Sequence, residues 1–245
     1  AIESYREFLN EYPDHSQVTE ARYRHALTLT APGHAAIMTG RHPATSGITS
    51  NNWFDPRLGA KRAAVADPDH RSLGGPGAGV SPRSLLVDTF GDRLKQATPA
   101  GRVVAVSIKD RSAIFMAGRD ADAAYWYSAA CRCFVTSSYF MEQPPGWLTA
   151  FNRSHPSDRF PGKLWERLLD DPAVYEKYSR ADRFEHEFDG RRIVFPHILN
   201  GTETPADKSP NARRSPFGDQ LLLEAALAAM EGHELGSDDA PDLLA

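Results

Sequence analysis

The chain has 245 residues, a formal net charge of −4 at pH 7, and 41% hydrophobic against 24% charged residues. That length can bury a substantial core, and the composition is that of an ordinary globular protein. Basic residues are neither in excess nor clustered, which argues against a nucleic-acid-binding surface, and no apolar run approaches a membrane span.

The start, Ala1-Ile2-Glu3-Ser4-Tyr5-Arg6, is polar and lacks the basic head and apolar stretch of a signal peptide; since the first residue is not Met, prior removal of a leader is compatible with it. Ile2, Tyr5, Phe8 and Leu9 stand at helical spacing and predict a short amphipathic helix over 1–13. Pro32 suits the first turn of a helix, where its missing N–H would be unsatisfied anyway. Ala35, Ala36, Ile37 and Met38 continue that helix, and Gly40 can end it. Thr30 then stands just before free backbone N–H groups at the positive end of a helix dipole, an anion site. The next loop, Gly47-Ile48-Thr49-Ser50-Asn51-Asn52-Trp53, delivers a side-chain amide.

Residues 56–80 are rich in Gly, Pro, Ala, Asp and Arg and read as a surface excursion. No Gly-Lys-Ser/Thr follows Gly74-Gly75-Pro76-Gly77, so this is not a phosphate-cradling loop. Ser81-Pro82 is expected to open a helix with Leu86, Phe90 and Leu94 on one face. The near-continuous apolar run over 102–108 predicts a strand buried on both faces, followed by polar Lys109-Asp110-Arg111. Helix, buried strand and polar loop form an α/β arrangement in which ligands bind beyond strand C-termini. Two aromatic and β-branched runs over 123–139 predict a hairpin. Cys131 and Cys133, as Cys-x-Cys on a strand, would share a face; no further soft ligands are patterned nearby, so two ordinary thiols are expected. Short helices are expected over 144–151 and 163–169, a strand over 192–195, and a last helix from Ser215-Pro216 to Gly232.

A threonine hydroxyl holds its proton too tightly to attack at neutral pH and needs a base or a metal ion. No His or Asp pair at a helical or tight-turn spacing flanks Thr30, so a metal-activated alkoxide is the chemically sensible reading. Asn51 can donate from its side-chain amide to a bound anion, although Ser-Asn-Asn is also common turn chemistry. Lys109 and Arg111, at i and i+2 past a strand, would project to one side; Arg offers a fork for two phosphoryl oxygens and Lys a point charge. Two cations on one side would suit a doubly charged anion with several free oxygens better than a singly charged one. The alternative is a solvated loop in which Asp110 neutralises its neighbours. His34 is expected to pack or hydrogen-bond within its helix, and His186, His197 and His233 are scattered without metal-ligand spacing.

Thr30-Ala31-Pro32-Gly33-His34, Thr39-Gly40, Pro43, Gly47-Ile48 and Asn51-Asn52-Trp53 resemble the nucleophile segment of the alkaline phosphatase superfamily. The likeness is to the branch of PafA-type alkaline phosphatases and nucleotide pyrophosphatase/phosphodiesterases. It extends to Ser107-Ile108-Lys109-Asp110-Arg111, to Ala124-Tyr125-Trp126-Tyr127 and Phe134-Val135-Thr136-Ser137-Ser138, and to Ser215-Pro216-Phe217-Gly218. The resemblance implies an α/β fold, an alkaline-phosphatase-like sandwich whose mostly parallel central sheet is flanked by helices. It further implies two zinc ions, Thr30 as nucleophile and metal ligand, a phospho-threonine intermediate, and Asn51 in preference to Asn52 on a phosphoryl oxygen. Lys109-x-Arg111 is similar to the monoesterases rather than the diesterases. Small phosphate esters would be the substrates, and the location periplasmic or secreted; oligomeric state is left open.

On this reading 1–245 is a single partial catalytic domain: nucleophile segment 23–55, excursion 56–80, Lys-x-Arg segment 102–111, hairpin and cap-like insertion 112–210, and final helix 215–235. The family's other zinc ligands, an Asp ending a strand upstream of the nucleophile and Asp and His residues after the final helix, have no counterpart in the sequence. Pro241-Asp242-Leu243-Leu244-Ala245 resembles the start of the strand leading to one such motif. The chain therefore reads as an interior piece or truncated homologue, expected by itself neither to bind two zinc ions tightly nor to hydrolyse phosphate esters. A phosphodiesterase of the same superfamily and a non-catalytic remnant are the competing readings. A sulfatase is disfavoured, because Thr30 and His34 replace the Cys or Ser and the Arg of that motif.

Overall fold

The computed structural model describes residues 29–56, 58–178, 195–199 and 211–245. The chain opens with helix α1 (Thr30–Thr39), which Gly40 ends in a left-handed conformation, and the single turn α2 (Pro43–Ser46). Gly47 follows at φ 82°, and a Cβ there would meet the Ser84 carbonyl at 2.8 Å and Leu86 Cγ at 2.7 Å. Only glycine lets the chain pass that close, and the pass sets the loop leading to Asn51. Strands β1 (Asn52–Asp55) and β2 (Ala60–Ala63) form an antiparallel hairpin, and β3 (Ser72–Leu73) comes next. Helix α3 (Phe90–Ala97), β4 (Val103–Ser107), α4 (Asp110–Ala117), β5 (Ala123–Ser128) and β6 (Cys133–Ser137) form the centre. Then come α5 (Gly146–Arg153), β7 (Leu164–Trp165), α6 (Pro172–Tyr178), β8 (His197–Ile198), a 3-10 turn (Ala212–Arg214), α7 (Pro216–Gly232) and β9 (Leu243–Leu244).

The central sheet has the order β3-β6-β5-β4-β9, with β4 parallel to both β5 and β9. Strand β6 runs against β5 and β3, so four of the five strands share one direction. Alternation along the buried strands feeds two cores. Ala105, Ala124, Trp126 and Val135 face Ala31 and Ala35 of α1 and Ala113, Ile114 and Phe115 of α4. Val104, Val106, Tyr125, Tyr127 and Phe134 face Leu148 of α5 and Leu221, Ala225 and Ala229 of α7. The α/β sandwich expected from the sequence is thus present, as are the hairpin of β5 and β6, the final helix from Pro216 to Gly232, and a strand at Leu243–Leu244.

Three local expectations are corrected. The helix expected from Ser81 begins at Phe90, because Thr89 and Asp92 make the capping box that starts it. Ser81 instead donates to Asp67 Oδ2 at 2.5 Å, and Leu86 and Phe90, placed on the apolar face by spacing, are exposed. The cysteines expected as thiols form the disulfide Cys131–Cys133. Cys131 lies in the turn before β6, and Arg132 at φ 53° bends the backbone so that the two Cα atoms stand 5.2 Å apart, within bridging range. The helix expected over 163–169 gives way to β7, since Trp165 pairs across strands with His197 and packs its ring on Phe195 and His197. The helix expected over 1–13 and all but Phe195 of the strand expected over 192–195 lie outside the described residues.

Candidate active site

Thr30 is the first residue of α1, and Leu29 caps the helix without a side-chain hydrogen bond. The helix is fixed from below by Ala31 and Ala35, both fully buried against α4. Several free N–H groups were expected at this helix start, and the structure leaves fewer. The Ala31 N–H donates to Asn51 Oδ1 at 2.8 Å, Pro32 has none, and the Gly33 N–H donates to the Leu29 carbonyl. A backbone N–H can only donate, so this bond fixes the amide's orientation: Oδ1 faces Ala31, and the Nδ2 group, which has no acceptor among the described residues, is the donor on offer. Asn52, the neighbour disfavoured from the sequence, is an exposed strand residue paired with Ala63. His34 Nδ1 lies 2.7 Å from the Thr30 carbonyl, so it carries the proton and the ring is held within its own helix.

The Lys-Asp-Arg segment turns from β4 directly into α4. Lys109 is the N-cap, and Asp110 and Arg111 are the first two helical residues. Strand alternation therefore does not govern where the two cations project, yet both line one cavity of ≈ 310 Å³. Ser72, Trp126, Tyr127, Ser128 and Arg213 also line it. Asp110 Oδ1 accepts from the Arg111 backbone N–H at 2.7 Å and from Arg111 Nη1 at 3.2 Å, which orients the guanidinium and uses the acid locally. Burial holds the Lys109 ammonium below its ordinary pKa, and repulsion from Arg111, Arg213 and Arg214 adds to this while Asp110 opposes it. Arg213 and Arg214 were missed in the sequence. Their only signal was an Arg-Arg pair just before Ser215-Pro216, about a hundred residues from Lys109.

Helix α1, carrying Thr30, thus packs on helix α4, carrying Arg111, and Asn51 is bonded to the residue after Thr30. A larger cavity of ≈ 610 Å³ lies between the end of α1 and the start of α3, lined by Ile37, Leu86, Phe90, Arg93 and Arg119. Its carboxylate, Asp88, is paired with Arg93 and Arg119, and none of the candidate residues reaches it.

The described residues do not by themselves fit a pair of zinc ions. No three of their His, Cys, Asp or Glu side chains come together as a metal site. Asp242 accepts from the backbone N–H groups of Gly236 and Arg102, which hold its carboxyl below the ordinary range. His233 Nε2 lies 2.8 Å from the Tyr125 hydroxyl, and His197 is buried against Trp165 and Phe195. His186 lies outside the described residues.

The chain is 37% identical over 223 residues to alkaline phosphatase PhoV of Synechococcus elongatus, which covers 89% of the chain and 40% of the relative. The crystal structure of wild type alkaline phosphatase PafA superposes with a TM-score of 0.74 at 32% identity, over 89% of this chain and 42% of that one. A second PafA structure, with a TM-score of 0.72 at 30% identity over 89% and 43%, is of a mutant in which a threonine is changed to serine and an asparagine, a lysine and an arginine to alanine. There the threonine and asparagine are 21 positions apart and the lysine and arginine two apart, the separations of Thr30 from Asn51 and of Lys109 from Arg111. The chain spans about 40% of the length of the curated relatives it matches. A family profile described as type I phosphodiesterase / nucleotide pyrophosphatase matches residues 15–243, and the chain belongs to that family.

Proposed function

We propose that this chain carries the phosphoryl-binding and nucleophile segments of a phosphate monoester hydrolase of the alkaline phosphatase type. Thr30 is the nucleophile: its oxygen bonds to phosphorus as the bond from phosphorus to the ester oxygen breaks, the alcohol leaves with the proton that the threonine hydroxyl gives up by way of solvent, and water then cleaves the phospho-threonine to release phosphate and restore the hydroxyl. Asn51 donates from Nδ2 to one phosphoryl oxygen, and Lys109 and Arg111 hold the others. The observation that carries the reading is the bond from Ala31 N–H to Asn51 Oδ1, which ties the Asn51 amide to the residue that follows Thr30 and leaves its Nδ2 group as the donor. The matching residue types and separations among the positions altered in the PafA mutant support the same four residues.

Two zinc ions are the activators that the resemblance implies in the whole protein, and they would supply the charge that makes a threonine hydroxyl nucleophilic. Of that ligand set the sequence carries Thr30. A periplasmic or secreted location belongs to the same proposal, and the Cys131–Cys133 disulfide suits an oxidising compartment. The description of the family keeps a diesterase as the second reading; two cations at one phosphoryl site favour the monoester.

The test is substrate preference in a protein carrying the complete family domain. Replacing Lys109 and Arg111 by Ala should lower kcat/KM for an aryl phosphate far more than for a bis-aryl phosphate. Each lost charge-assisted contact is worth about 1.5–3 kcal/mol, roughly ten- to a hundredfold. Equal losses on both substrates would reduce these residues to holding the loop.

A further inference from the structure

Lys109 and Arg111 do not account for all the positive charge in their cavity. Arg213 lines it too, delivered from the far end of the sequence by the 3-10 turn Ala212–Arg214. That turn is a fixed platform. Ala212 is buried in the core under β4, and a Cβ on Gly218 would meet the Ala212 carbonyl at 2.6 Å, so turn and helix α7 touch backbone to backbone. Among the described residues neither Arg213 nor Lys109 has a carboxylate partner. The lone carboxylate among the described residues lining the cavity, Asp110, is already bonded to Arg111. Among the described residues lining it, three cations and one acid leave an excess of two positive charges in a concave space, where their field is focused rather than screened away.

A phosphoryl group gripped by Lys109 and Arg111 leaves Arg213 without a counter-charge. Trp126, Tyr127 and Ser128, which line the same cavity, give an organic group a surface to lie against. We propose that Arg213 is a second anion subsite that selects phosphate esters whose alcohol portion bears its own negative charge. This rests on the reading of Lys109 and Arg111 as phosphoryl-binding residues. Burial, chiefly, lowers the Lys109 pKa, and repulsion from Arg111, Arg213 and Arg214 adds to it, in keeping with the place of Arg213 in the lining of the same cavity.

The experiment is equilibrium binding to the 245-residue chain at low salt, comparing phenyl phosphate with meta- and para-carboxyphenyl phosphate. These ligands differ only in the added charge and its reach. At least one carboxylated compound should bind about tenfold tighter than phenyl phosphate, an advantage that shrinks as salt is raised. Arg213→Gln should weaken the carboxylated compound about tenfold more than phenyl phosphate, whereas Lys109→Ala should weaken all of them. Equal affinity for the ligands with and without the carboxylate, or equal losses on both in Arg213→Gln, overturns the subsite while leaving the phosphoryl site standing. If none of the ligands binds, the phosphoryl-site reading falls, and the subsite with it.

Discussion

Ala31 and Asn51 are joined by a 2.8 Å hydrogen bond from the backbone N–H of one to the side-chain oxygen of the other, across twenty positions of sequence. One contact therefore serves structure and proposed chemistry together: it satisfies a donor at the start of α1 and fixes which end of the Asn51 amide is available to a ligand.

The two roles separate by mutation. Asn51→Asp keeps an acceptor for Ala31 but removes the donor and adds a negative charge, so folding stability should hold within about 0.5 kcal/mol while phosphate binding is lost. Asn51→Ala loses both and should destabilise the chain by about 1 kcal/mol. Urea unfolding alongside phosphate titration checks this; full phosphate affinity in Asn51→Asp would remove Asn51 from the site.

The start of α3 depends on one buried acid. Asp92 accepts from the N–H groups of Thr89 and Asp120 at 2.7 Å each, while its own N–H donates to Thr89 Oγ1. Asp92→Ala should cost about 2–4 kcal/mol: the backbone bond to Thr89 Oγ1 survives, but the side-chain half of the capping box is lost and the N–H groups of Thr89 and Asp120 are left unpaired. Gly118 presses on this box at φ 95°, and a Cβ there would meet Thr89 Oγ1 at 2.2 Å. Gly118→Ala should therefore destabilise as severely as Asp92→Ala, by denaturant midpoint.

Stability should fall on mild acidification through His233. Burial, chiefly, and the nearby Arg102 depress its pKa in the folded chain, against the opposing pull of Asp122. The unfolded chain therefore binds this proton more readily. The contribution is complete above about pH 6.5, the ordinary histidine value, and is lost as pH falls from there through the folded value. His233→Gln should flatten the pH dependence of the melting temperature over that range; an unchanged slope would assign the effect elsewhere. A separate loss belongs to Asp67. Burial opposes its ionisation, but bonds from Ser81, Arg83 and the Asp69 N–H outweigh that and hold its pKa low. Its contribution disappears only as pH falls below the ordinary carboxylate range.

The parts of the fold legible in the sequence were those governed by local rules. Gly40, the apolar run through Val103–Ser107 and the Pro216 helix start each act over a few residues, and each element stands where its signal lies. The assignment of Thr30, Asn51, Lys109 and Arg111 to the proposed site rests on short motifs that resemble a family, and the structure adds the bond from Ala31 to Asn51 and the cavity that Lys109 and Arg111 share. Competition between local signals hid the rest. Leu86 and Phe90 imitate a helix face, but the capping box of Thr89 and Asp92 decides the start. Cys131 and Cys133 would share a face on a flat strand, but the left-handed Arg132 lets them bond. Arg213 joins the cavity only because α7 folds back over β4, a relation between distant segments that no local pattern encodes.

The central claim is that Thr30 takes the phosphoryl group. Its most direct test is to incubate a protein carrying the complete family domain with an aryl phosphate, quench at low pH and locate the phosphate by peptide mass analysis. Phosphate should sit on Thr30, and Thr30→Ala should abolish it together with nearly all turnover. Phosphate on another residue, or undiminished turnover in Thr30→Ala, would contradict the account.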